Sequence, residues 1–196
     1  MNSTGKSERL VEAAAKRFHH YGLSASSIAE VAGDAGIPPG NVYYYFRTKD
    51  SLALAVQAHW DTRIQNALAE IEAEHPDATS RLAAFLDRSQ ANASFYAEAG
   101  CPIAALARDL RNGGETLQPL AGRIFEAQAK WLETQFAAIG LSGRKPTNVA
   151  WAILTAIQGG IGLAHATQSE TPFLAAIADA RGRVADLLSR QQRALS

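Results

Sequence analysis

The chain has 196 residues, 47% of them hydrophobic, and its 19 basic and 19 acidic residues give a formal net charge of zero. This composition is ample for a buried core, and the neutral balance argues against a protein that coats nucleic acid unselectively. One cysteine excludes an internal disulfide, and no basic segment leads into the apolar stretch of a secretion signal, so we expect a cytoplasmic protein.

Residues 26–49 predict a short helix, a tight turn and a second short helix, the layout of a helix-turn-helix DNA reader. Ser27 and Glu30 have the S-x-x-E spacing of a capping box. Gly36 is expected to end the first helix, and Pro39 suits the first turn of the next, where an amide has no intrahelical partner. The inward faces of the two helices are predicted to be Ile28, Val31, Ala32 and Ala35, then Val42 and Phe46.

Three consecutive tyrosines follow in the second short helix. Because neighbouring helix positions are about 100° apart, they cannot all face inward, and at least one ring should be exposed. An exposed phenol can donate to a phosphate oxygen, while Asn41 matches the edge of adenine. The alternative is a small three-helix subdomain with partly buried tyrosines. The predicted DNA-binding residues are Ser27, Pro39, Gly40, Asn41, Tyr43, Tyr44, Tyr45 and Lys49.

This segment resembles the N-terminal domain of the TetR (tetracycline-repressor) family of bacterial transcription regulators. The pattern comprises Val31-Ala32, Ala35-Gly36, residues 40–46 and 49–52, and Arg9, Ala14, Phe18 and Gly22 in the first helix. Two departures are Pro38, where many members have a capping serine, and Tyr45, where histidine is common. The resemblance implies a DNA-binding domain over 1–48 and a ligand-binding and dimerisation domain over 49–196.

Hydrophobic periodicity from residue 48 onward is helical throughout, so we predict an all-α protein. One long helix carries Leu52, Val56, Trp60, Ile64, Leu68 and Ile71 and ends near His75-Pro76. A second is predicted through Leu82, Phe85, Leu86, Ala93 and Tyr96, and a short third over 102–110. A fourth runs through Leu117, Leu120, Ile124, Trp131 and Ile139 to the glycines Gly140 and Gly143.

The last two predicted helices differ in character. Residues 149–166 are apolar almost all round, whereas the final helix has a narrower stripe of Leu174, Ile177, Val184 and Leu188, interrupted by Arg181. Gln158, His165 and three glycines make 149–166 a poor membrane span. Such a helix must be covered on both sides, either inside a monomer or by a second copy across a two-fold axis. The resemblance favours a homodimer.

A homodimer of this family implies a palindromic double-stranded DNA operator and a small-molecule inducer that binds among the helices of residues 48–166. We expect a pocket with mostly apolar walls and a few polar points. Each candidate residue also fits the hydrophobic core. The predicted ligand-binding residues are Tyr96, Cys101, Phe125, Trp131, Trp151, Gln158 and His165.

Cys101 directly precedes Pro102. If Pro102 opens a helix, Cys101 is its N-cap, where the helix dipole favours a thiolate that could react with electrophiles or oxidants. Residues 100–106 resemble a Gly-Cys segment in one branch of the family that includes electrophile- and oxidant-responsive repressors. The alternative is a small buried hydrophobic side chain.

Enzyme functions are not indicated. The sequence has no metal-spaced His/Cys cluster, no phosphate-binding glycine loop and no nucleophile elbow, so we expect no catalysis, metal or cofactor. The competing function is an all-α small-molecule-binding protein without sequence-specific DNA binding.

Overall fold

A computed structural model describes residues 3–140 and 145–195, and these contain helices and no β-strand. The all-α prediction is therefore confirmed. The helices are α1 (Ser3–Tyr21), α2 (Ile28–Asp34), α3 (Pro39–Tyr45), α4 (Lys49–Glu74), α5 (Ala78–Gln90), α6 (Ala93–Ala99), α7 (Pro102–Asn112), α8 (Arg123–Ile139), α9 (Pro146–Thr167) and α10 (Thr171–Leu195).

The chain forms two compact units. The first comprises the chain up to Arg63 together with Pro102–Ile124, and the second comprises Ile64–Cys101 together with the chain from Phe125 onward. Each unit has its own hydrophobic core. The first unit thus includes α7, which is far from the helix-turn-helix in sequence. The proposed functional boundary between residues 48 and 49 stays a prediction.

The turn between α2 and α3 follows from its glycine. Gly36 has φ +61°, and its N–H donates to the Gly33 carbonyl while the Ile37 N–H donates to the Ala32 carbonyl. These two bonds form a Schellman motif, which satisfies carbonyls left open at a helix end. The guanidinium of Arg9 donates to the Ala35 carbonyl beside them. The predicted end of the helix at Gly36 is confirmed.

We expect Gly36→Ala to lower the free energy of unfolding by about 1–2 kcal/mol, because a left-handed backbone brings Cβ of an L-residue against its own carbonyl. An added Cβ would also lie 3.2 Å from Nη2 of Arg9. Chemical denaturation of the purified protein measures this loss. Gly33→Ala is the matched control, since its Cβ would meet nothing within 4 Å. In an α-helix this control should gain about 1 kcal/mol, and equal effects would contradict the strain.

Two predicted helix boundaries were wrong. The single helix predicted through Leu82 and Tyr96 is broken between α5 and α6, where the Asn92 side chain donates to the Arg88 carbonyl at 2.8 Å. The helix predicted from Leu117 begins as one 3-10 turn, Gln118–Leu120, and α8 starts only at Arg123. Pro119 lies within that turn, where it lacks the N–H that a longer α-helix needs.

The other predicted helix ends agree with the structure. Pro102 is the first residue of α7, and α4 ends at Glu74, just before His75. Gly140 follows α8 with φ +75°. Gly143 lies outside the described residues.

Helices α9 and α10 pack closely in the core of the second unit. The buried stripe of α10 is Phe173, Ile177, Ala180 and Val184, so the prediction that placed Leu174 on this stripe was wrong. Leu174 directly follows the buried Phe173, so its side chain points away from the core and is 37% exposed. At Gly160 an added Cβ would lie 2.7 Å from Cβ of Ala176, which explains why a glycine is needed there.

One described helix, α9, is long and apolar enough to cross a membrane by length and composition, with a mean hydropathy of 1.4. In this structure 44% of that stretch is buried inside the protein. Core helices of soluble proteins pass the same test, so this feature is weak evidence for a membrane span.

Candidate functional site

The first half of the candidate site is the start of α2. The Glu30 N–H donates to Oγ of Ser27 at 3.2 Å, and the Ser27 N–H donates back to Oε2 of Glu30 at 2.8 Å. The capping box is therefore confirmed. Hydrogen bonds from the hydroxyl and N–H of Ser27, with the charge of Arg17, hold the pKa of the Glu30 carboxyl below its usual value. Glu30 is thus ionised at neutral pH.

Arg17 ties α1 to α2 on this side of the unit. Its guanidinium lies 2.5 Å from Oε1 of Glu30 and 2.9 Å from Oδ2 of Asp34, and it also lies 5.0 Å from the ring centroid of Tyr21. The hydrogen bond to Asp34 is the largest cause that raises the pKa of Arg17. This arginine therefore serves to hold two helices together. Lys16 and Arg47 are exposed cations of the same unit.

The second half of the candidate site is α3. Pro39 occupies the first helical position, as predicted, and the preceding Pro38 supplies no side-chain cap. Val42 is fully buried and Phe46 is buried, which confirms the predicted inward face. The other residues of α3 are exposed, except Tyr45, which is half-buried and packs against the core.

The three tyrosines of α3 differ in exposure, because consecutive helix positions point in different directions. Tyr44 is 83% exposed and Tyr43 is 55% exposed, whereas Tyr45 is half-buried and meets the Tyr44 ring edge-on at a centroid distance of 5.2 Å. Pro39, Gly40 and Asn41 are exposed beside them. The prediction of at least one exposed ring is confirmed. The outer surface of α3 therefore carries an amide and two phenols, which can contact base edges and phosphates. Gly40 has no side chain and so allows DNA to come close to the backbone.

Lys49 lies at the first position of α4 and is half-buried. Its ammonium donates to the Ser24 carbonyl at 2.9 Å. Lys49 thus already makes a bond within the protein, and an additional contact to a DNA phosphate stays a prediction.

In the second unit, three of the residues predicted to bind a ligand lie close together. Burial raises the pKa of the Tyr96 phenol to about 12, and the neighbouring ionisable Cys101 adds to this shift. The His165 ring packs on Gly100, where an added Cβ would lie 3.3 Å from the ring. Nδ1 of His165 lies 3.4 Å from the Ala97 carbonyl oxygen. Residues 96–101 therefore join the end of α6 to the end of α9.

The remaining predicted ligand residues are spread more widely. Nε1 of Trp131 donates to Oε1 of Glu72 at 2.9 Å, and its ring lies 5.6 Å from that of Phe85. Phe125 and Gln158 are half-buried. Trp151 is 42% exposed and therefore belongs to the outer face of α9. No cluster of at least three His, Cys, Asp or Glu side chains suited to a metal occurs among the described residues.

Two groups of polar residues escaped the sequence interpretation. Gln128 and Gln135 are buried on α8, although glutamine is mostly exposed in proteins. Asp109 on α7 accepts a hydrogen bond from the Leu23 N–H. The glutamines could have been noticed on the apolar face of a periodic helix, whereas the Asp109 contact, with a sequence separation of 86, left no local signal.

Comparison with known proteins is consistent over almost the whole chain. Residues 10–56 match the family model "Bacterial regulatory proteins, tetR family", and residues 76–179 match "Transcriptional regulator LmrA/YxaF-like, C-terminal domain". The HTH-type transcriptional regulator LmrA of Bacillus subtilis is 23% identical over 169 residues, which cover 85% of this chain and 90% of that protein. An uncharacterised HTH-type regulator of Mycobacterium tuberculosis is 27% identical over 197 residues, covering 97% and 94%.

Solved structures support the same fold. The crystal structure of a TetR-family transcriptional regulator from Agrobacterium tumefaciens has a TM-score of 0.82 at 18% identity, covering 95% of this chain and 99% of that one. The two family models, one over the helix-turn-helix and one over more than half of the chain, establish the family. The chain therefore belongs to the TetR family of bacterial helix-turn-helix transcriptional regulators.

Proposed function

We propose that the protein is a cytoplasmic repressor that binds a palindromic DNA operator as a homodimer and is released by a small molecule. The observation that carries this proposal is the outward face of α3. Asn41, Tyr43 and Tyr44 are exposed around the buried anchor Val42, on a helix that follows the turn of a helix-turn-helix. Enzyme activity is no part of the proposal.

The outer face of α9 and α10 supports the homodimer. Leu163 is 60% exposed, and Trp151 and Leu174 are exposed large hydrophobic residues on the same pair of helices. A Cβ added at Gly159 or Gly162 would meet nothing within 4 Å, so this side of α9 is open. An exposed apolar face of this kind marks an interface, and a second copy covers it with two-fold symmetry. A two-fold dimer would place its reading helices roughly 34 Å apart, one DNA turn, and so read a palindrome.

The inducer would bind in the second unit, among the helices that carry Tyr96, Phe125, Trp131, Gln158 and His165. The proximity of Tyr96, Cys101 and His165 supports this placement. A pocket that combines apolar walls with a few polar points suits a partly apolar ligand. Such a ligand relieves repression only if it binds more tightly to a dimer whose two α3 helices are too far apart or too close together for the operator.

Selection of bound sequences from a random double-stranded DNA pool tests this function. The purified protein should enrich a palindrome under reducing conditions. Enrichment of a single half-site alone would overturn the dimer. The absence of any enrichment under both reducing and oxidising conditions would favour the small-molecule-binding protein without DNA function.

Substitutions in α3 should distinguish contacts to bases from contacts to the phosphate backbone. We expect Asn41→Ala to relax the preference at one base pair by about 1–3 kcal/mol, the cost of losing a bidentate base contact. Tyr43→Phe should instead weaken binding by a similar factor on all sequences, because a phenol bound to phosphate carries no base information. Binding to the selected operator and its single-base variants, at several salt concentrations, measures both effects.

Asn66→Ala is the matched control for these substitutions. Asn66 is an exposed asparagine of α4 in the second unit, so its replacement should leave affinity and base preference unchanged. If Asn41→Ala behaved like this control, α3 would not be the reading helix in the proposed orientation.

A further inference from the structure

The turn between α1 and α2, residues 22–26, is tightly bonded within itself. Gly22 has φ +85°, and its N–H donates to the Phe18 carbonyl at 2.9 Å. Oγ of Ser26 donates to the Gly22 carbonyl at 2.7 Å, and both Leu23 and Ser26 are buried. Since Ser27 caps α2 immediately afterwards, the position of this turn fixes where α2 begins.

Two charged side chains bind backbone groups of consecutive residues in this turn. Oδ2 of Asp109 accepts a hydrogen bond from the Leu23 N–H at 2.6 Å, and the Lys49 ammonium donates to the Ser24 carbonyl at 2.9 Å. Hydrogen bonds to a charged partner are about twice as strong as neutral ones. The turn is therefore held by a carboxylate on α7 and by an ammonium at the start of α4.

The Asp109 contact is built into the core of the first unit. Helix α7 packs against α1, and its buried Leu106 and Leu110 belong to the same core as the helix-turn-helix. The Asp109 side chain is only 14% exposed. Its Oδ1 lies 3.6 Å from Nε of Arg108, which is 70% exposed, so that ion pair is weak. The short bond to Leu23 is thus the stronger of these two contacts.

We propose that Asp109 is a positioning residue for DNA binding, which sets the turn at residues 22–26 and through it the placement of α2 and α3 on the operator. This inference rests on the proposed operator binding. A residue of α7, outside the helix-turn-helix sequence, would thus contribute to DNA binding without touching DNA. A buried N–H without a partner is unfavourable, so the turn shifts to find a new acceptor when the carboxylate is removed.

Substitution of Asp109 tests this role. Asp109→Leu keeps the size of the side chain but removes the acceptor, and Asp109→Ala removes it without any risk of overpacking. We expect both to weaken operator binding about tenfold, which equals about 1.4 kcal/mol. Asp109→Asn retains a carbonyl oxygen that accepts the same bond, so it should bind within about threefold of the unchanged protein. The conservative variant therefore distinguishes the hydrogen bond from the charge.

The salt dependence of binding distinguishes positioning from direct DNA contact. The slope of log Kd against log salt should be unchanged in all three Asp109 variants, because none of them removes a cation from a phosphate. Amide hydrogen exchange tests the bond itself in the absence of DNA. The Leu23 amide should exchange faster in Asp109→Leu and Asp109→Ala, while the Phe18 and Val31 amides keep their protection and report an intact fold.

Two results would overturn the inference alone. One is operator binding by Asp109→Ala equal to that of the unchanged protein, and the other is an equal loss in Asp109→Asn and Asp109→Ala. Failure of the unchanged protein to bind any operator would instead overturn the proposed function. In that case, faster exchange of the Leu23 amide in Asp109→Ala would still show that Asp109 binds Leu23, but Asp109 would have no role in DNA binding.

Discussion

Leu163→Arg should convert the proposed homodimer to a monomer and abolish high-affinity binding to the proposed operator. Leu163 is the most exposed large aliphatic side chain of α9, on the face proposed to meet a second copy. Two-fold symmetry would bury two guanidinium groups for one substitution. An unpaired buried charge costs about 3–5 kcal/mol, so even one of the two groups should raise the dimer dissociation constant by roughly 150- to 5,000-fold, and the pair should raise it at least as much.

Analytical ultracentrifugation over a concentration series measures this shift, and DNA binding follows from the same samples. Phe95→Arg is the matched control, because Phe95 is another large exposed hydrophobic residue of the second unit but lies on α6. It should leave the dimer and operator affinity unchanged. A Leu163→Arg protein that remained dimeric would show that the outer face of α9 is not the interface.

Gly160→Val should be the most destabilising single substitution among the described glycines of α9. An added Cβ would lie 2.7 Å from Cβ of Ala176 and 3.1 Å from Cα of Phe173. Neither atom can rotate away, because one is bonded directly to the α10 backbone and the other belongs to it. The two helices must therefore separate, and overpacking of this kind costs about 3 kcal/mol.

Chemical denaturation at a fixed protein concentration checks this loss, since the proposed dimerisation would make stability depend on concentration. Gly182→Val in α10 is the control, because a Cβ there would meet nothing within 4 Å. Its stability should stay within about 1 kcal/mol of the unchanged protein, in line with helix propensity. An equal effect at the two positions would contradict close packing of α9 on α10.

Local signals explain why much of the first unit could be predicted. The Ser27 and Glu30 capping box, the end of α2 at Gly36 and the start of α3 at Pro39 each depend on residues within one or two turns of each other. The bonds concerned are local, so residue type and spacing are sufficient to specify them. The exposure of Tyr43 and Tyr44 follows from helix geometry once Val42 faces inward.

The break between α5 and α6 shows where periodicity fails. Apolar residues continue at helical spacing through Phe85, Ala93 and Tyr96, because both helices contribute to one core. The interruption depends on Asn92, whose side chain caps the Arg88 carbonyl. Asparagine is also tolerated inside helices, so its presence alone does not predict a break.

The sequence by itself determined the all-α fold, the helix-turn-helix and its outward-facing residues, since these depend on periodicity, capping and turn chemistry between near neighbours. Only the tertiary structure decided that α7 joins the first unit, that Asp109 reaches Leu23, and that the α9 face bearing Leu163 stays open in a single chain. These features depend on contacts between residues far apart in the chain. The packing of whole helices sets such contacts, and no local pattern records it.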